Sequence, residues 1–168
     1  MYRIGLGHDT HRFKPASNVE SVETLRLGGV DIPFDRALLG HSDADVLLHA
    51  IADALLGAAA LGDIGEHFPD TAEENRGKDS GVMLAHVAER VRNAGYGIVN
   101  IDSIIFAEAP NLKLVKPAMR QRIAEILALP IDRVAVKAKT GEKVGIIGRG
   151  EAICAEAVTL IAPIDEID

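Results

Sequence analysis

The sequence predicts an α+β fold, a mixed sheet packed on helices, and three observations carry that expectation. Segments rich in β-branched residues recur from one end of the chain to the other. A long alanine- and leucine-rich stretch lies between them, and strands and helices are interspersed without a strict βαβ rhythm. A length of 168 residues suits one compact domain, residues 1–168. At 48% hydrophobic and 26% charged, the composition is that of a globular rather than a disordered chain.

Residues 2–13 and about 24–32 read as strands, separated by the polar stretch KPASNVESVE, which reads as a surface loop. From Asp43 to Leu61 the pattern becomes DADVLLHAIADALLGAAAL, with the length and residue content of a helix. LGDIGEHFPDTAEENRGKDS follows as a glycine-rich, acidic connection, and a compact domain keeps a loop of that length for a function. Two more helices are predicted near 79–94 and 113–128, the first stopped by glycine in NAGY. IVNIDSIIFAEAP, RVAVKAK and EAICAEAVTLIAP read as strands, and there is no internal repeat.

Charge and cysteine content narrow the function. A formal net charge of −7 argues against a general affinity for nucleic acid, which needs a basic face. It leaves room for an anionic substrate if metals and backbone amides supply a local positive field. The single cysteine, Cys154, excludes an internal disulfide and a cysteine zinc cluster, and points to a reducing, cytoplasmic setting. No apolar run has the length of a membrane span, and GLGHD comes too early to leave room for a targeting segment.

The chemistry-bearing residues gather in two regions. Asp9 and His11 are two apart in a strand, so both side chains leave the same face and can share one metal ion; an isolated D-x-H is equally a solvated strand end. Asp45, His49 and Asp53 fall at i, i+4 and i+8, a polar stripe on an otherwise apolar helix, and ionisable groups at such positions need partners. His49 could complete a two-histidine, one-carboxylate set, which with an open fourth position describes a catalytic zinc site. Asp45 or Asp53 could then orient its imidazole. Ser42 and Asp45 also match a capping box, which leaves His49 and Asp53 unexplained. His41 and Ser42 precede the helix, where free amides favour an anion, although His41 also fits a plain loop position. KAKTGEKVGIIGRGE places Thr140, Glu142, Arg149 and Glu151 in a glycine-rich segment of a kind that can wrap a phosphate. The common nucleotide-loop, zinc-protease and nucleophile-elbow motifs are absent from the sequence.

GLGHDTHRF, LLGHSDADVLLHAIADALLGAAALGDIGEHFPDT, IIFAEAP and VKAKTGEKVGIIGRGEAICAEAV resemble, in order and spacing, the 2-C-methyl-D-erythritol 2,4-cyclodiphosphate synthase family of non-mevalonate isoprenoid biosynthesis. The resemblance covers nearly the whole chain. It implies a homotrimer with active sites between neighbouring subunits, each holding zinc through Asp9, His11 and His49. The implied reaction cyclises 4-diphosphocytidyl-2-C-methyl-D-erythritol 2-phosphate and releases CMP. His41 and Thr140 fall at the family's catalytic positions, and His41 and Ser42 meet the substrate's phosphate region beside Asp9 and His11. Asp63, Ile64 and Gly65 hold the methylerythritol part, with Phe68, Pro69, Asp70, Thr71 and Ala72 extending that wall.

By the same resemblance, Ala107, Pro110, Asn111, Leu112 and Lys113 cradle the cytidine and its diphosphate together with Lys139, Thr140, Gly141 and Glu142. Glu142 helps to hold a second divalent ion, magnesium or manganese. Ile146, Arg149 and Glu151 belong to a central channel of the trimer, where Arg149 meets an anion. The chain departs from the pattern in two places: Lys139 and Gly141 stand where family members can carry threonines, and Ile146 where an aromatic residue can occur. Two other readings of the residues alone are a zinc hydrolase using Asp45 or Asp53 as base and a non-enzymatic metal- or nucleotide-binding trimer.

Overall fold

The computed structural model describes residues 1–15, 23–69 and 71–167. Of the loop expected over 14–23, residues 16–22 lie outside the described residues, as does Asp70. In chain order the elements are β1 (Arg3–Arg12), β2 (Glu23–Leu27), β3 (Val30–Phe34), α1 (Val46–Ala59), α2 (Ile64–His67) and α3 (Ser80–Asn93). They continue with β4 (Tyr96–Phe106), α4 (Lys116–Leu127), β5 (Val134–Lys139), α5 (Gly145–Gly148) and β6 (Ala152–Pro163).

The main sheet has the order β1-β6-β4-β5, with β4 and β5 parallel and the other pairs antiparallel, so it is mixed, as the composition of the segments predicts. Burial alternates along its strands: Gly5 and Gly7 of β1 and Ala155, Ala157 and Thr159 of β6 are buried on the face covered by α1. Among the described residues no helix covers the opposite face of the sheet, and there Ile4 and Leu6 are 72% and 69% exposed beside Val158. Among the described residues, no helix is long and apolar enough to cross a membrane.

α1 is the central element. All but three of its residues are buried, and the exceptions, His49, Asp53 and Gly57, lie four apart on one line. It lies on β1 at backbone distance because β1 presents no side chain at Gly5 and Gly7. A Cβ on Gly7 would overlap the Ala50 carbonyl oxygen and stand 2.6 Å from Ala54 N; one on Gly5 would overlap the Ala54 carbonyl and stand 2.7 Å from Ala58 N. The two glycines of GLGHDTHRF therefore bring a helix of their own chain onto the strand.

Three sequence expectations are corrected. The strand expected over about 24–32 is a hairpin, β2 and β3, turning at Gly28 and Gly29, whose φ values of 63° and 72° suit a two-residue turn. The connection over 61–80 is not structureless, because Asp63 caps the short helix α2 and a 3₁₀ turn covers Glu73–Asn75. The cap of α1 is Asp45, not Ser42: the Asp45 side chain accepts from Leu48 N and, with the hairpin folded over it, from Gly28 N and Gly29 N at 2.8 and 2.6 Å. Burial pushes the Asp45 carboxyl's pKa up, and those three backbone N–H groups partly offset it.

Candidate active site

β1 carries Asp9 and His11 on its α1 face, one step beyond Gly7, and α1 carries His49 one residue before Ala50, which lies against Gly7. The packing that admits the helix therefore also brings His49 to Asp9 and His11. Asp9 Oδ2 lies 3.0 Å from His11 Nε2 and 3.0 Å from His49 Nδ1, and the two ring nitrogens are 3.5 Å apart. Ligands of a tetrahedral zinc with bonds of 2.0–2.1 Å stand about 3.3 Å from one another, so this triangle has the size that a zinc site needs. Among the described residues it is the one cluster of three or more histidine, cysteine or acidic side chains of that kind.

Hydrogen bonding points one donor outward from the protein's own network. His11 Nδ1 lies 2.9 Å from the Leu39 carbonyl, which can only accept, so Nδ1 carries the proton and Nε2 is left bare toward the cluster. Burial opposes ionisation of the Asp9 carboxyl, but the His11 and His49 rings beside it outweigh that and hold it well below the usual carboxylate range. Three acceptor-rich groups this close repel one another unless protons or a cation stand between them, and a divalent ion satisfies all three at once.

The Nε2 side of His49 meets Ser80 Oγ at 2.8 Å and Ser42 Oγ at 3.3 Å. Ser80, the first residue of α3, donates its hydroxyl to Asp43 through a short hydrogen bond, and Asp43 also accepts from Ser80 N at 3.0 Å. Neither Asp45 nor Asp53 orients His49. Asp45 is spent on backbone amides, and Asp53 Oδ1 accepts from Ile64 N at 2.7 Å, which pins the loop before α2. Nor is the N-terminus of α1 open to an anion ahead of the helix, since the buried Asp45 carboxylate already occupies it.

A cavity of about 180 Å³ opens over the cluster, lined by Asp9, His11, His41, Ser42, His49, Asp53, Ile64, Gly65 and Phe68, with Asn75 and Met83 closing it. His41 Nε2 is buried there without a hydrogen-bond partner among the described residues. Asp63 caps α2 at the edge, Pro69 accepts from Asn75 Nδ2 at 3.1 Å, and Thr71 and Ala72 are not among the residues that line the cavity.

A second cavity, of about 240 Å³, is lined by Ala107, Glu108, Pro110, Asn111, Leu112, Lys113, Lys116, Ala138, Lys139 and Thr140. The loop after β5 is shaped by left-handed backbone at Glu142 and Lys143, φ 49° and 63°, and by Gly141 lying against Gly148, where a Cβ would overlap backbone. Thr140 Oγ1 donates to Glu142 Oε1 at 2.6 Å. Glu108 anchors the loop by accepting from Gly141 N at 3.2 Å and pairing with Lys143 at 2.5 Å, and the lysine lowers its pKa. Glu142 stands with Glu108 beside a rim that carries Lys113, Lys116 and Lys139.

The two cavities stand apart. Thr10, Cys154, Phe106 and Lys139 form one row across the sheet, so the metal cluster and the 139–142 loop lie at the same end of the sheet but on opposite edges. Three strand spacings separate the edges by about 14 Å. Ile146 is exposed, and Arg149 pairs with Glu151 at 2.6 Å in a third recess beside Arg12, Lys14 and Arg36. Sequence reasoning missed Ser80, Asp43 and Lys116; each is an ordinary residue of a helix start or loop, with no spacing relation to the residues that it serves.

Residues 2–162 match the model of the YgbB family. A 2-C-methyl-D-erythritol 2,4-cyclodiphosphate synthase of Paraburkholderia phymatum is 57% identical over 159 residues, 95% of this chain and 96% of the relative. That of Burkholderia thailandensis is 56% identical over 160 residues, 95% of each. Among solved structures, the CDP complex of Plasmodium falciparum IspF superposes with a TM-score of 0.82 at 33% identity, over 96% of both chains. The bifunctional IspDF of Campylobacter jejuni gives a TM-score of 0.90 at 39% identity over 98% of this chain, which spans 43% of that one.

Proposed function

The chain belongs to the YgbB family, that of the 2-C-methyl-D-erythritol 2,4-cyclodiphosphate synthases, and from that premise we propose how its residues divide the work. The enzyme cyclises 4-diphosphocytidyl-2-C-methyl-D-erythritol 2-phosphate to 2-C-methyl-D-erythritol 2,4-cyclodiphosphate with release of CMP, in non-mevalonate isoprenoid biosynthesis. An oxygen of the 2-phosphate bonds to the β-phosphorus while the bond from that phosphorus to CMP breaks. The nucleophile is already anionic, so no protein base is required, and the difficulty is to press like charges together in line.

The observation that carries the division of labour is the convergence of Asp9, His11 and His49 in a cavity separate from the lysine-lined one. Asp9, His11 and His49 hold zinc, and Glu142 helps to hold magnesium or manganese against the diphosphate. Held by these residues, zinc would supply Lewis-acid polarisation of a phosphate, and the second ion would offset charge on the departing CMP. His41 offers its unpartnered ring nitrogen to a phosphate oxygen, with Ser42 beside it, and Thr140 steadies both Glu142 and the phosphates. Ile64, Gly65 and Phe68, with Asp63, Pro69, Asp70, Thr71 and Ala72 along the same segment, wall the methylerythritol part. Ala107, Pro110, Asn111, Leu112, Lys113, Lys139 and Gly141 receive the cytidine nucleotide.

One substrate must reach both cavities, and about 14 Å across the sheet is too far for the β-phosphate to meet both metal sites of a single chain. The helix-free face with exposed Ile4, Leu6 and Val158 offers apolar area to a neighbour. We therefore take the enzyme as a homotrimer whose active sites pair one subunit's metal cavity with the next subunit's 139–142 loop, with Ile146, Arg149 and Glu151 toward the shared axis. Residues 1–168 act as one synthase domain, and the bacterial relatives and lone cysteine favour the cytoplasm.

Mixing a His49→Ala protein with a Thr140→Ala/Glu142→Gln protein and reassembling the trimers is expected to restore CMP release, because some interfaces then pair two intact halves. Hybrids that stay inactive would place the whole site within one chain. Glu142→Gln on its own keeps the shape and removes the charge. Zinc content is expected to stay at the wild-type level while the concentration of magnesium or manganese needed for half-maximal rate rises and turnover falls. Superimposable metal titrations for mutant and wild type would remove Glu142 from the second metal.

A further inference from the structure

We infer that Ser80, held by Asp43 and Arg26, is a positioning residue for the metal site: it fixes which nitrogen of His49 faces the cluster. The inference rests on the reading of Asp9, His11 and His49 as metal ligands and names what holds the third of them.

The argument is one of hydrogen-bond capacity. A serine hydroxyl has one proton to give, and the Ser80 proton is directed to Asp43, which as a carboxylate only accepts. Toward His49 Nε2, at 2.8 Å, Ser80 can therefore act only as an acceptor. The proton of the neutral imidazole is thereby placed on Nε2, and Nδ1 is left bare, 3.0 Å from Asp9 Oδ2 and 3.5 Å from His11 Nε2. His49 is thus fixed in the opposite tautomer to His11, whose Nδ1 carries the proton toward the Leu39 carbonyl, and both bare nitrogens point at the same place.

Asp43 is itself held. It accepts from the Ser80 backbone N–H and from Asp45 N, and the Arg26 guanidinium stands 3.8 Å away. Arg26 also pairs with Asp31 at 2.9 Å and Asp79 at 3.0 Å, so it ties the β2–β3 hairpin to the start of α3. Ser80 is 1% exposed, so water cannot replace the hydroxyl. Ser42 Oγ, at 3.3 Å from His49 Nε2, is the longer contact of the two, so the Ser80 hydroxyl sets the ring. Partners of this kind on metal-bound histidines typically account for about ten- to hundredfold in metal affinity.

The test uses full-length protein stripped of metal and refilled with cobalt(II) or zinc, comparing wild type with Ser80→Ala. Asp79, not Ser80, caps α3, so the variant leaves the helix start in place. Ser80→Ala is expected to bind zinc about ten- to hundredfold more weakly and to give an altered cobalt d–d spectrum, with an unchanged circular dichroism spectrum. In zinc-loaded wild type, nitrogen-15 NMR of the histidine rings is expected to find His49 bound through Nδ1, with a slowly exchanging Nε2 proton. That proton exchanges rapidly in Ser80→Ala.

Equal zinc affinity in the two proteins would overturn the inference and leave the metal site standing, as would a wild-type His49 bound through Nε2. Failure of wild type to take up either ion would instead sink the metal reading itself. The wild-type NMR result decides the tautomer even if the variant does not fold.

Discussion

His49→Ala is expected to leave the enzyme folded, free of zinc and short of nearly all its activity. Two donors, Asp9 and His11, would remain of a triangle whose third corner now lies 3.0 Å from Asp9 Oδ2. A pair of protein ligands does not retain a catalytic zinc against chelators. Lewis-acid polarisation supplies several kcal/mol of charge stabilisation in the transition state, so its loss lowers the rate by about a thousandfold or more. The fold survives because β1 stays paired with β6 and the apolar side of α1 is untouched. Metal analysis of the purified variant, with initial rates of CMP release and a circular dichroism melt, checks all three parts. A variant that keeps one zinc per chain would exclude His49 from the ligand set.

Gly7→Ala is the smallest change with an effect of comparable size, and it acts through the backbone. The added Cβ meets the Ala50 carbonyl and Ala54 N, neither of which can turn aside as a side chain would. α1 must move off β1, and overpacking at a backbone contact costs roughly 3 kcal/mol or more of stability. His49, one residue from the point of collision, moves with it, so zinc is expected to be lost as well. Gly57→Ala is the control on the same helix. Nothing lies within 4 Å of its added Cβ, so the better helix former should stabilise the protein slightly. Urea unfolding of the two variants, alongside zinc content, separates the outcomes. A Gly7→Ala protein as stable and as zinc-replete as wild type would mean that the strand–helix contact is not what sets the site.

The sequence made some of this legible and not the rest, for physical reasons. Period two in a strand put Asp9 and His11 on one face, and period 3.6 in an apolar helix left His49 and Asp53 without a solvent-side excuse. Both are local regularities that one chain displays by itself. The two glycines of β1 carry no mark of what they contact, since a close approach is a relation between two elements. Asp45 has the right spacing for the polar stripe, yet it turned inward to cap α1 and grip the Gly28–Gly29 turn. Gly28-Gly29 between two short strands is a hairpin signal, which is why 24–32 folds as β2 and β3 rather than as one strand. Ser80 and Glu108 act on partners more than thirty positions away, through hydroxyl and carboxylate geometry that no periodicity encodes.

The strand order has a consequence for the protein's birth on the ribosome. Among the described strands β1 is bonded in the sheet to β6 alone, with Asp9 opposite Ala155 and His11 opposite Ile153. The first two ligands to be translated therefore wait for the last strand, and a nascent chain that already carries all three ligands has no sheet position for two of them. Such end-to-end pairing raises contact order and slows folding relative to local pairing. A metal held by Asp9, His11 and His49 would therefore be expected to bind only after β6 has joined the sheet.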